Sequence, residues 1–374
     1  MIKLDELQSS VGGLSIVLTG GGTAGHVLPN IALLPHLRKS FDRIYYIGSD
    51  GGVEKGIAEQ AGLEYFSIST AKLRRSLSLS NLLTPFKVLG GISGAKKLLR
   101  RLRPNVVFSK GGFVAYPVVA AASKLGIPVV IHESDYSMGL ANKMSAKHAD
   151  AVCTTFEATA KVLSGKYPNK KVGHTGTPLR SEIFKGDASR IEALFAPRRG
   201  GGALLARSNL LVVGGSQGAR RINEAVVGAL PELLRGWNIL HVVGKGKLVD
   251  VNSLLDGYKQ VEYMENIADA YAWADVVVSR AGSGAMSELL VLNKRVVFIP
   301  MSTGRGDQLE NAAEVKRLGK AEVLLEEELC GSSLLSVIER AQGRMQHADA
   351  RWGDGSGAVV DTILSVVVSG KSGR

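Results

Sequence analysis

The chain has 374 residues, which is more than one hydrophobic core usually supports, so two domains are expected. Hydrophobic residues make up 45% and charged residues 21%, a balance that excludes a disordered chain and is typical of soluble globular proteins. No uncharged apolar stretch reaches the ~18 residues of a membrane-spanning helix, and the N-terminus lacks the pattern of a signal peptide. The composition therefore predicts a soluble, cytoplasmic protein.

The net charge of +12 is unevenly placed along the chain. No Asp or Glu occurs between Glu64 and Glu133, a stretch that is rich in Lys and Arg. A basic face of this kind attracts nucleic acid or anionic lipid, and the composition leaves both open. Several of the 45 glycines stand at the ends of strand-like runs. They favour nucleotide binding, because glycine lets the backbone approach phosphate closely.

Strand-like runs alternate with helical patterns along most of the chain, which is typical of βα units on a parallel sheet. In the first half these runs are LSIVLTG, RIYYIGS, EYFSI, NVVFSKG, IPVVIHE and DAVCTTF. The alternation stops near Pro178 and resumes with NLLVVGG, NILHVVG, KQVEYM, DVVVSRAG, RVVFIPM and AEVLL. We therefore predict a first domain at 1–178, a linker with an exposed loop at 179–208 and a second domain at 209–345. The C-terminal segment 346–374 is expected to dock on one half and can return to the first domain.

The first strand-like run ends in a glycine-rich turn, GGGTAGH at residues 20–26. This turn contains the GxGxxG spacing of dinucleotide sites, and Asp50 after the next run could serve as the ribose acid. His26 stands at the start of the following helix, where the carboxyl end of the strand opens into a crevice. It is a candidate for chemistry, with a helix-capping or packed histidine as the alternative.

Two further glycine-rich turns follow strand-like runs in the second half, GGSQGA at 214–219 and RAGSGAMSE at 280–288. Backbone N–H groups in such turns, together with the start of the next helix, favour phosphate binding. Glu288 lies close to the third turn, where its carboxylate can accept hydrogen bonds from ribose hydroxyls. A solvated helix glutamate is the alternative.

Other polar residues stand where strands meet helices. Asp307 and Gln308 follow the run RVVFIP, and Arg180 follows the turn at Pro178, where it is a candidate to meet a diphosphate. The chain has no Asp-x-Asp pair to hold Mg²⁺ or Mn²⁺ with a nucleotide, and no GxxxxGK[ST] loop of the kind found in ATPases. Backbone amides, helix N-termini and arginines would then stabilise a leaving diphosphate without a metal or another cofactor.

Seven segments occur in a fixed order, namely GGGTAGHVLPNIAL, KGGFVAYPVVAAA, HESDYSMGLANK, GTPLRSEIF, GGSQGARRINEAV, SRAGSGAMSELL and RGDQLENA. In this order and at this spacing they resemble the MurG family of peptidoglycan N-acetylglucosaminyltransferases, part of glycosyltransferase family 28, from about Leu14 to about Leu325. The resemblance implies the GT-B fold, an α/β architecture of two Rossmann-like domains whose parallel sheets face an interdomain cleft. It also implies inverting, metal-independent transfer of N-acetylglucosamine from UDP-N-acetylglucosamine to the C4 hydroxyl of the muramoyl sugar of lipid I, giving lipid II.

The resemblance also assigns site residues. Arg180 and Ser216 would contact the diphosphate, Met264 the uracil, Glu288 the ribose and Gln308 a sugar hydroxyl. The full set of expected donor contacts is Thr23, Ala24, Gly25, Asp135, Arg180, Ser216, Met264, Arg280, Ser283, Gly284, Ala285, Met286, Ser287, Glu288, Asp307 and Gln308. The expected acceptor-side residues are Thr23, His26, Phe113 and Asp135.

Catalysis is assigned to His26 as the base that deprotonates the acceptor, with Asp135 as the other candidate for the proton. The chain departs from the family pattern at three of these positions. Many members have Asn at Asp135 and a second Gln at Asp307, and Phe113 stands where Tyr is frequent. The Phe113 position therefore lacks a hydroxyl contact.

A membrane-docking segment is expected between Lys72 and Arg103. Its apolar members are Leu77, Leu79, Leu82, Leu83 and Phe86, and the cations beside them include Arg74 and Arg75. An apolar loop ringed by cations suits attachment to a membrane surface, although these leucines could instead pack on the sheet. The expected location is the cytoplasmic face of the cell membrane, with anionic inner-leaflet lipids and other cell-wall synthesis proteins as partners and no nucleic acid.

Three alternatives stay open at this stage. A UDP-N-acetylglucosamine 2-epimerase would share the architecture but would need no membrane face. A dehydrogenase would use one Rossmann site and leave the second and third glycine turns unexplained. A non-catalytic sugar-nucleotide-binding subunit would not need both the His26 turn and the Glu288 turn in a single chain.

Overall fold

The computed structural model describes residues 13–70, 84–195, 207–215, 217–249, 255–346, 349 and 351–372. The chain divides into two compact units. Unit 1 comprises Met1–Arg180 together with Gly353–Arg374, and unit 2 comprises Ser181–Trp352. Across the described residues, no helix combines the length and the apolar character needed to cross a bilayer.

The described residues of unit 1 form a seven-stranded sheet in the order β3-β2-β1-β4-β5-β6-β7, in which every neighbouring pair is parallel. The strands are β1 (Ser15–Thr19), β2 (Arg43–Ser49), β3 (Glu64–Ile68), β4 (Val106–Ser109), β5 (Val129–Glu133), β6 (Ala151–Thr154) and β7 (Lys171–His174). The strands β1, β4, β5 and β6 are buried over their whole length. Burial of both faces explains why their sequences are mostly continuous apolar runs.

Helices cover both faces of this sheet. They are α1 (Ala24–Ala32), α2 (Leu34–Leu37), α3 (Val53–Gln60), α4 (Thr84–Leu102), α5 (Ala115–Lys124), α6 (Leu140–Ser145) and α7 (Glu157–Lys166). One core cluster joins Leu33 and Leu37 to β1. A second cluster packs Leu99 of α4 and Val118 of α5 against the opposite face. The sheet is thus the middle layer of an α/β sandwich.

The described residues of unit 2 repeat this design with a six-stranded parallel sheet in the order β10-β9-β8-β11-β12-β13. Its strands are β8 (Ser208–Val213), β9 (Trp237–Val242), β10 (Tyr258–Val261), β11 (Val276–Ser279), β12 (Arg295–Phe298) and β13 (Glu322–Val323). Its helices are α8 (Ser189–Phe195), α9 (Arg220–Gly228), α10 (Leu230–Leu233), α11 (Ile267–Trp273), α12 (Ser283–Val291), α13 (Asp307–Arg317) and α14 (Gly331–Gln342), with a 3-10 turn at Ser181–Lys185.

The segment expected as a linker is partly a packed element of unit 2. The backbone N–H of Asp187 donates to Asp269 of α11 at 2.8 Å, and the ring of Phe195 stacks on Trp273 at 5.0 Å between centroids. Ile183 and Ile191 are buried. Residues 181–195 therefore pack on unit 2, in contrast to the linker expected at 179–208. Two isolated apolar residues give too weak a pattern to predict this packing from the sequence.

The last helix, α15 (Ser356–Ser372), belongs to unit 1. Its apolar side, which includes Val359, Ile363 and Val366, is buried in the same core cluster as β1. Asp354 fixes the start of this helix, because its carboxylate accepts the N–H groups of Leu179 and Ser356, each at 3.0 Å. The C-terminal end of the chain thereby completes one face of the unit 1 sheet.

The strand order places a topological switch point in each sheet. In unit 1 the order reverses between β1 and β4, whose last residues Thr19 and Ser109 are paired. In unit 2 it reverses between β8 and β11, where Val213 pairs with Ser279. Ligands of open α/β sheets bind beyond the carboxyl ends of the strands at such points. The glycine-rich turns follow these strand ends.

Substitution of Ile363 by Ala tests the contribution of α15. Because Ile363 is fully buried, its truncation is expected to lower the free energy of unfolding of unit 1 by about 2–5 kcal/mol. Urea denaturation followed by circular dichroism measures this change. Asp361→Ala on the exposed side of the same helix is the control and should change stability little. Equal stability of Ile363→Ala and the wild type would contradict the packing of α15.

Candidate active site

The first glycine-rich turn of unit 1 links β1 to α1. Gly22 has φ of +88°, in the left-handed region that favours glycine. A Cβ atom on Gly20 would lie 2.7 Å from the carbonyl oxygen of His26, and one on Gly21 would lie 2.6 Å from the carboxyl carbon of Glu54. The turn therefore folds tightly over the start of α1 and leaves no room for side chains.

The turn after β4 touches this first turn. A Cβ atom on Gly112 would lie only 2.2 Å from the carbonyl oxygen of Gly21. The ring of Phe113 lies against Gly22, where a Cβ atom would be 2.5 Å from its Cε1 atom. The structure thus brings the predicted acceptor residue Phe113 beside the 20–26 turn.

His26 and Thr23 face each other at the start of α1. The Thr23 hydroxyl lies 3.1 Å from His26 Nδ1, and the His26 backbone N–H donates to the Thr23 carbonyl at 3.1 Å. Thr23 and Gly25 are exposed, and Ala24 and His26 are half-buried. The imidazole is therefore oriented by Thr23 and remains partly open to solvent, as a proton acceptor requires.

A buried carboxylate, Glu54 of α3, holds the first turn. It accepts the Gly22 N–H at 3.2 Å and the Ser49 N–H at 2.9 Å, and it also accepts the Ser49 hydroxyl. Burial alone would raise the pKa of Glu54, but the hydrogen bonds from Ser49 and Gly22 keep that pKa below its ordinary value. Glu54 is therefore ionised at neutral pH and acts as an anchor for the turn.

A buried lysine, Lys110, lies beneath the turn that follows β4. Its ammonium donates to His132 Nδ1 at 2.6 Å and to the Ser134 hydroxyl, while His132 Nε2 donates to the Gly176 carbonyl at 2.8 Å. Burial lowers the pKa of Lys110 to about 8, against the opposing charges of Glu133 and Asp135. Burial also lowers the pKa of His132, so this imidazole is neutral. The cation thus connects the ends of β4 and β5.

Asp135 follows β5 and is half-buried. Its backbone N–H donates to Glu133 at 2.9 Å, and Glu133 also accepts the N–H of Gly139 at 3.0 Å and the side-chain amide of Asn142 at 2.9 Å. Burial raises the pKa of Glu133. Glu133 shapes the loop that carries Asp135, so Asp135 lies at the same carboxyl edge of the sheet as the first turn.

In unit 2, the turn after β8 is held against the end of β9. A Cβ atom on Gly218 would lie 1.9 Å from the carbonyl oxygen of Val243. The side chain of Asn223 on α9 donates to the same carbonyl at 2.9 Å and lies 3.1 Å from His241 Nε2. Ser216, the predicted diphosphate contact, lies outside the described residues.

The third glycine-rich turn joins β11 to α12. Glu288 is half-buried on α12 and accepts the hydroxyl of Tyr271 at 3.3 Å, which fixes its carboxylate. Ser283, Gly284 and Ala285 are half-buried in the first turn of the helix, and Ser287 is buried. Met286 is fully buried and its N–H donates to Gly282 at 3.0 Å. Helical periodicity turns the side chain of Met286 to the core, and the donor contact expected of this residue stays a prediction.

Arg280, another residue predicted as a donor contact, makes hydrogen bonds to two neighbouring loops. Its guanidinium donates to Glu326 and to the Ile299 carbonyl at 3.1 Å, and Glu326 accepts the Ser302 hydroxyl at 2.8 Å. Hydrogen bonds from Arg280 and Ser302 lower the pKa of Glu326 although burial opposes them. Arg280 therefore ties together the loops that follow β11, β12 and β13.

The remaining predicted donor residues lie in loops or at helix starts. Gln308 on α13 accepts the N–H of Met301 at 3.0 Å, and Asp307 pairs with Arg305 at 3.1 Å. Met264 is half-buried between β10 and α11. Arg180 is half-buried at the end of the first segment of unit 1. No group of three or more His, Cys, Asp or Glu side chains in the described part of the chain is arranged to hold a metal ion.

Glycine-rich turns at the switch points of two parallel sheets are typical of α/β proteins that bind phosphorylated ligands. The glycosyltransferase family 28 N-terminal domain matches residues 16–154, and the family 28 C-terminal domain matches residues 209–351. The chain is 45% identical over 328 residues to the UDP-N-acetylglucosamine--N-acetylmuramyl-(pentapeptide) pyrophosphoryl-undecaprenol N-acetylglucosamine transferase of Lachnospira eligens, covering 87% of this chain and 90% of that protein. The protein of the same name in Lachnoclostridium phytofermentans is 44% identical and covers 94% of this chain and 98% of its own length.

Solved structures show the same fold. MurG of Acinetobacter baumannii matches with a TM-score of 0.70 at 23% identity, over 94% of this chain and 99% of that one. The UDP-GlcNAc 2-epimerase of Neisseria meningitidis matches with a TM-score of 0.65 at 14% identity, over 94% and 100%. These two structures share the fold, whereas the sequence relatives decide the family. The chain belongs to glycosyltransferase family 28, in its MurG group, and the protein is a glycosyltransferase.

Sequence reasoning missed the residues that hold the turns in place. Glu54 stands in an ordinary amphipathic helix, and its contact with Gly22 spans 32 residues, which no local pattern reveals. Lys110 offered a clearer signal, because it is a charged residue directly after the apolar run of β4. A charge at that position is buried, and buried charges need specific partners.

Substitution of Glu54 by Gln should loosen the first turn. Charge-assisted hydrogen bonds contribute about 1.5–3 kcal/mol, so a loss of this order in the free energy of unfolding is expected at neutral pH. Because the pKa of Glu54 is lowered on folding, its contribution is present above its ordinary pKa and is lost as the pH falls through the lowered value. The difference in free energy of unfolding between wild type and Glu54→Gln should therefore shrink as the pH is lowered, and urea denaturation at several pH values measures it.

The control for this experiment is Glu59→Gln, which removes an exposed carboxylate from the same helix. It should leave both the stability and its pH dependence nearly unchanged. A gap between wild type and Glu54→Gln that stays constant down to about pH 3 would contradict an ionised Glu54 anchor.

Proposed function

We propose that this protein transfers N-acetylglucosamine from UDP-N-acetylglucosamine to the C4 hydroxyl of the muramoyl sugar of undecaprenyl-pyrophosphoryl-muramoyl-pentapeptide. The observation that carries this proposal is the identity of 44–45% to proteins named for that activity, over 87% or more of this chain. The lipid-linked acceptor corresponds to lipid I and the product to lipid II. Unit 2 supplies most of the donor contacts and unit 1 binds the acceptor, with further donor contacts proposed for five residues of unit 1, namely Thr23, Ala24, Gly25, Asp135 and Arg180.

The proposed reaction is a single displacement at the anomeric carbon with inversion of configuration. His26 takes the proton of the acceptor hydroxyl, the hydroxyl oxygen attacks the anomeric carbon, and the bond between that carbon and the diphosphate oxygen breaks. Half-burial and the contact with Thr23 orient His26 for this step, with Asp135 as the alternative proton acceptor. Backbone N–H groups at the starts of α9 and α12 stabilise the negative charge of the leaving UDP, so the reaction needs no metal ion.

Glu288 is proposed to bind the ribose. Its carboxylate accepts the hydroxyl of Tyr271, and carboxylate oxygens are the hydrogen-bond acceptors that ribose hydroxyls need. Ser283, Gly284, Ala285 and Ser287 offer backbone and hydroxyl contacts in the same turn. Arg180 and Ser216 are proposed for the diphosphate, Met264 for the uracil face, and Asp307 and Gln308 for the sugar.

Two substitutions should separate the proposed roles in an assay with labelled UDP-N-acetylglucosamine and a soluble lipid I analogue. His26→Ala is expected to lower kcat about 10²–10⁴-fold, since it removes a general base, with little change in the KM for the donor. Glu288→Ala is expected to raise the KM for the donor roughly ten- to a hundred-fold, because ribose hydrogen bonds to a charged group are lost.

The control variant is Glu232→Ala, which removes an exposed carboxylate of unit 2 from α10, before the amino end of β9. It should retain full activity, and the wild type should retain activity in EDTA. Absence of a disaccharide product with the wild type would contradict the proposal. Epimerised donor formed without acceptor would point to the epimerase instead.

We also propose that unit 1 docks on the cytoplasmic face of the cell membrane, where anionic lipids surround the acceptor and other cell-wall synthesis proteins can bind. Leu77, Leu79, Leu82, Leu83, Arg74 and Arg75 lie outside the described residues, and so does the side chain of Phe86. Support comes from the next part of α4, where Leu89 is 61% exposed and the nearby Lys87 is exposed as well. Exposed apolar and basic residues on one element suit an anionic surface.

Vesicle co-sedimentation tests this docking. Leu79→Ser/Phe86→Ser and the reversals Arg74→Glu/Arg75→Glu should each weaken binding to anionic vesicles at low salt. Each cation near such a surface contributes about 1 kcal/mol, which salt screens. Val162→Ser is the control, because Val162 is an exposed apolar residue on α7 of the same unit. Equal binding by all of these proteins would refute the docking segment.

A further inference from the structure

The turn after β9, Gly244–Lys247, lies against the turn that follows β8 in unit 2. Gly218 and Gly244 approach so closely that a Cβ atom on Gly244 would be 2.6 Å from the Cα atom of Gly218. Both glycines have positive φ, +67° and +96°. The two turns therefore form one surface at the carboxyl edge of the sheet.

Lys247 connects these two turns directly. Its ammonium donates to the carbonyl oxygen of Gln217 at 2.6 Å, and its backbone N–H donates to the Gly244 carbonyl at 3.1 Å. An ammonium group has three N–H donors, and the Gln217 contact uses one of them. A positive charge is thus held at the turn that precedes α9, in an exposed position.

Several positive charges lie near Lys247, and one carboxylate, that of Glu262, accepts the N–H of Gly246 in the same turn at 2.8 Å. α9 starts with Arg220 and Arg221 and has no acidic residue in its first turn. Cations at a helix N-terminus are disfavoured by the helix dipole, which attracts anions there. Lys245 adds a further exposed cation in the neighbouring turn. Arg220 pairs with Glu224 of the same helix at 3.6 Å, which offsets part of this positive charge, and an anion bound at the turn would offset more of it.

A neutral buried network of hydrogen bonds links α9 to the end of β9 and so holds the two turns together. His241 Nδ1 lies 2.9 Å from the Tyr258 hydroxyl, and Asn223 connects His241 to the Val243 carbonyl at the end of β9. Burial lowers the pKa of His241 to about 4, so this network adds no charge at neutral pH. The positive charge at the turns comes from the exposed lysines and arginines, and Glu262 adds one negative charge beside Gly246.

We propose that the Gly244–Lys247 turn forms the second half of the anion site in unit 2, and that Lys247 compensates the charge of a nucleoside diphosphate bound there. This inference rests on the proposed donor site. The hydrogen bond to Gln217 holds the Lys247 ammonium at the turn, where its charge stabilises a bound diphosphate. An uncharged nucleoside gains nothing from this charge.

A series of ligands separates charge compensation from a purely structural role. Isothermal calorimetry would compare uridine, UMP and UDP on wild type and on Lys247→Met. The variant is expected to bind UDP about ten-fold more weakly, to bind UMP with a smaller loss and to bind uridine as the wild type does. The loss of UDP affinity should shrink as salt is added, because salt screens the attraction between the Lys247 ammonium and the diphosphate that the variant lacks.

Two matched variants complete the experiment. Lys247→Arg keeps the charge and should retain most of the UDP affinity. Lys259→Met removes an exposed lysine from β10 of the same unit and should change nothing. An equal loss of UDP and uridine binding, or unchanged UDP binding by Lys247→Met, would overturn the role of Lys247 alone. Wild-type protein that binds no uridine nucleotide would overturn the proposed donor site and this inference with it.

Discussion

The close approach of glycine backbones at the carboxyl ends of two parallel sheets is the constraint on which the candidate site depends. In unit 1, Gly112 lies on the carbonyl of Gly21, and in unit 2, Gly218 lies on the carbonyl of Val243, at distances that no Cβ atom could tolerate. Both contacts bring together turns that follow neighbouring strands. A side chain at either glycine would separate those turns and with them the N–H groups that could bind an anion. The sheets place the turns side by side, and the glycines allow the backbones of the turns to come into contact.

Buried polar groups keep these turns in place, by different means in the two units. Unit 1 uses charged groups, with the carboxylate of Glu54 under the first turn and the ammonium of Lys110 between β4 and β5. Unit 2 uses the neutral network of Asn223, His241 and Tyr258 at the turn after β8 and the ion pair of Arg280 with Glu326 at the turn after β11. Burial of an unpaired charge would be costly, so each charged group in unit 1 has several hydrogen-bond partners.

The sequence was sufficient to predict two α/β halves and the three glycine-rich turns, because buried parallel strands leave long apolar runs and tight turns require glycine. The family and its activity followed from the order of seven segments. Directions of side chains were harder to predict. Met286 and Arg280 belong to a correctly located turn, but helical periodicity buries one and Glu326 binds the other. Lys247 was overlooked because its partner, Gln217, is thirty positions away along the chain and only adjacent strands bring the two together. Such contacts depend on the tertiary arrangement and leave no local pattern.

The central claim is that the donor nucleotide binds at the turns of unit 2 and leaves the turns of unit 1 to the acceptor. Hydrogen exchange measured by mass spectrometry, with and without UDP and in the absence of acceptor, tests this claim most directly. We expect UDP to slow exchange in the turn after β8, at Gly244–Lys247 and at the start of α12 near Glu288, and to leave the turn at Phe113 largely unchanged. Protection confined to the turns of unit 1, with no change in unit 2, would contradict the account.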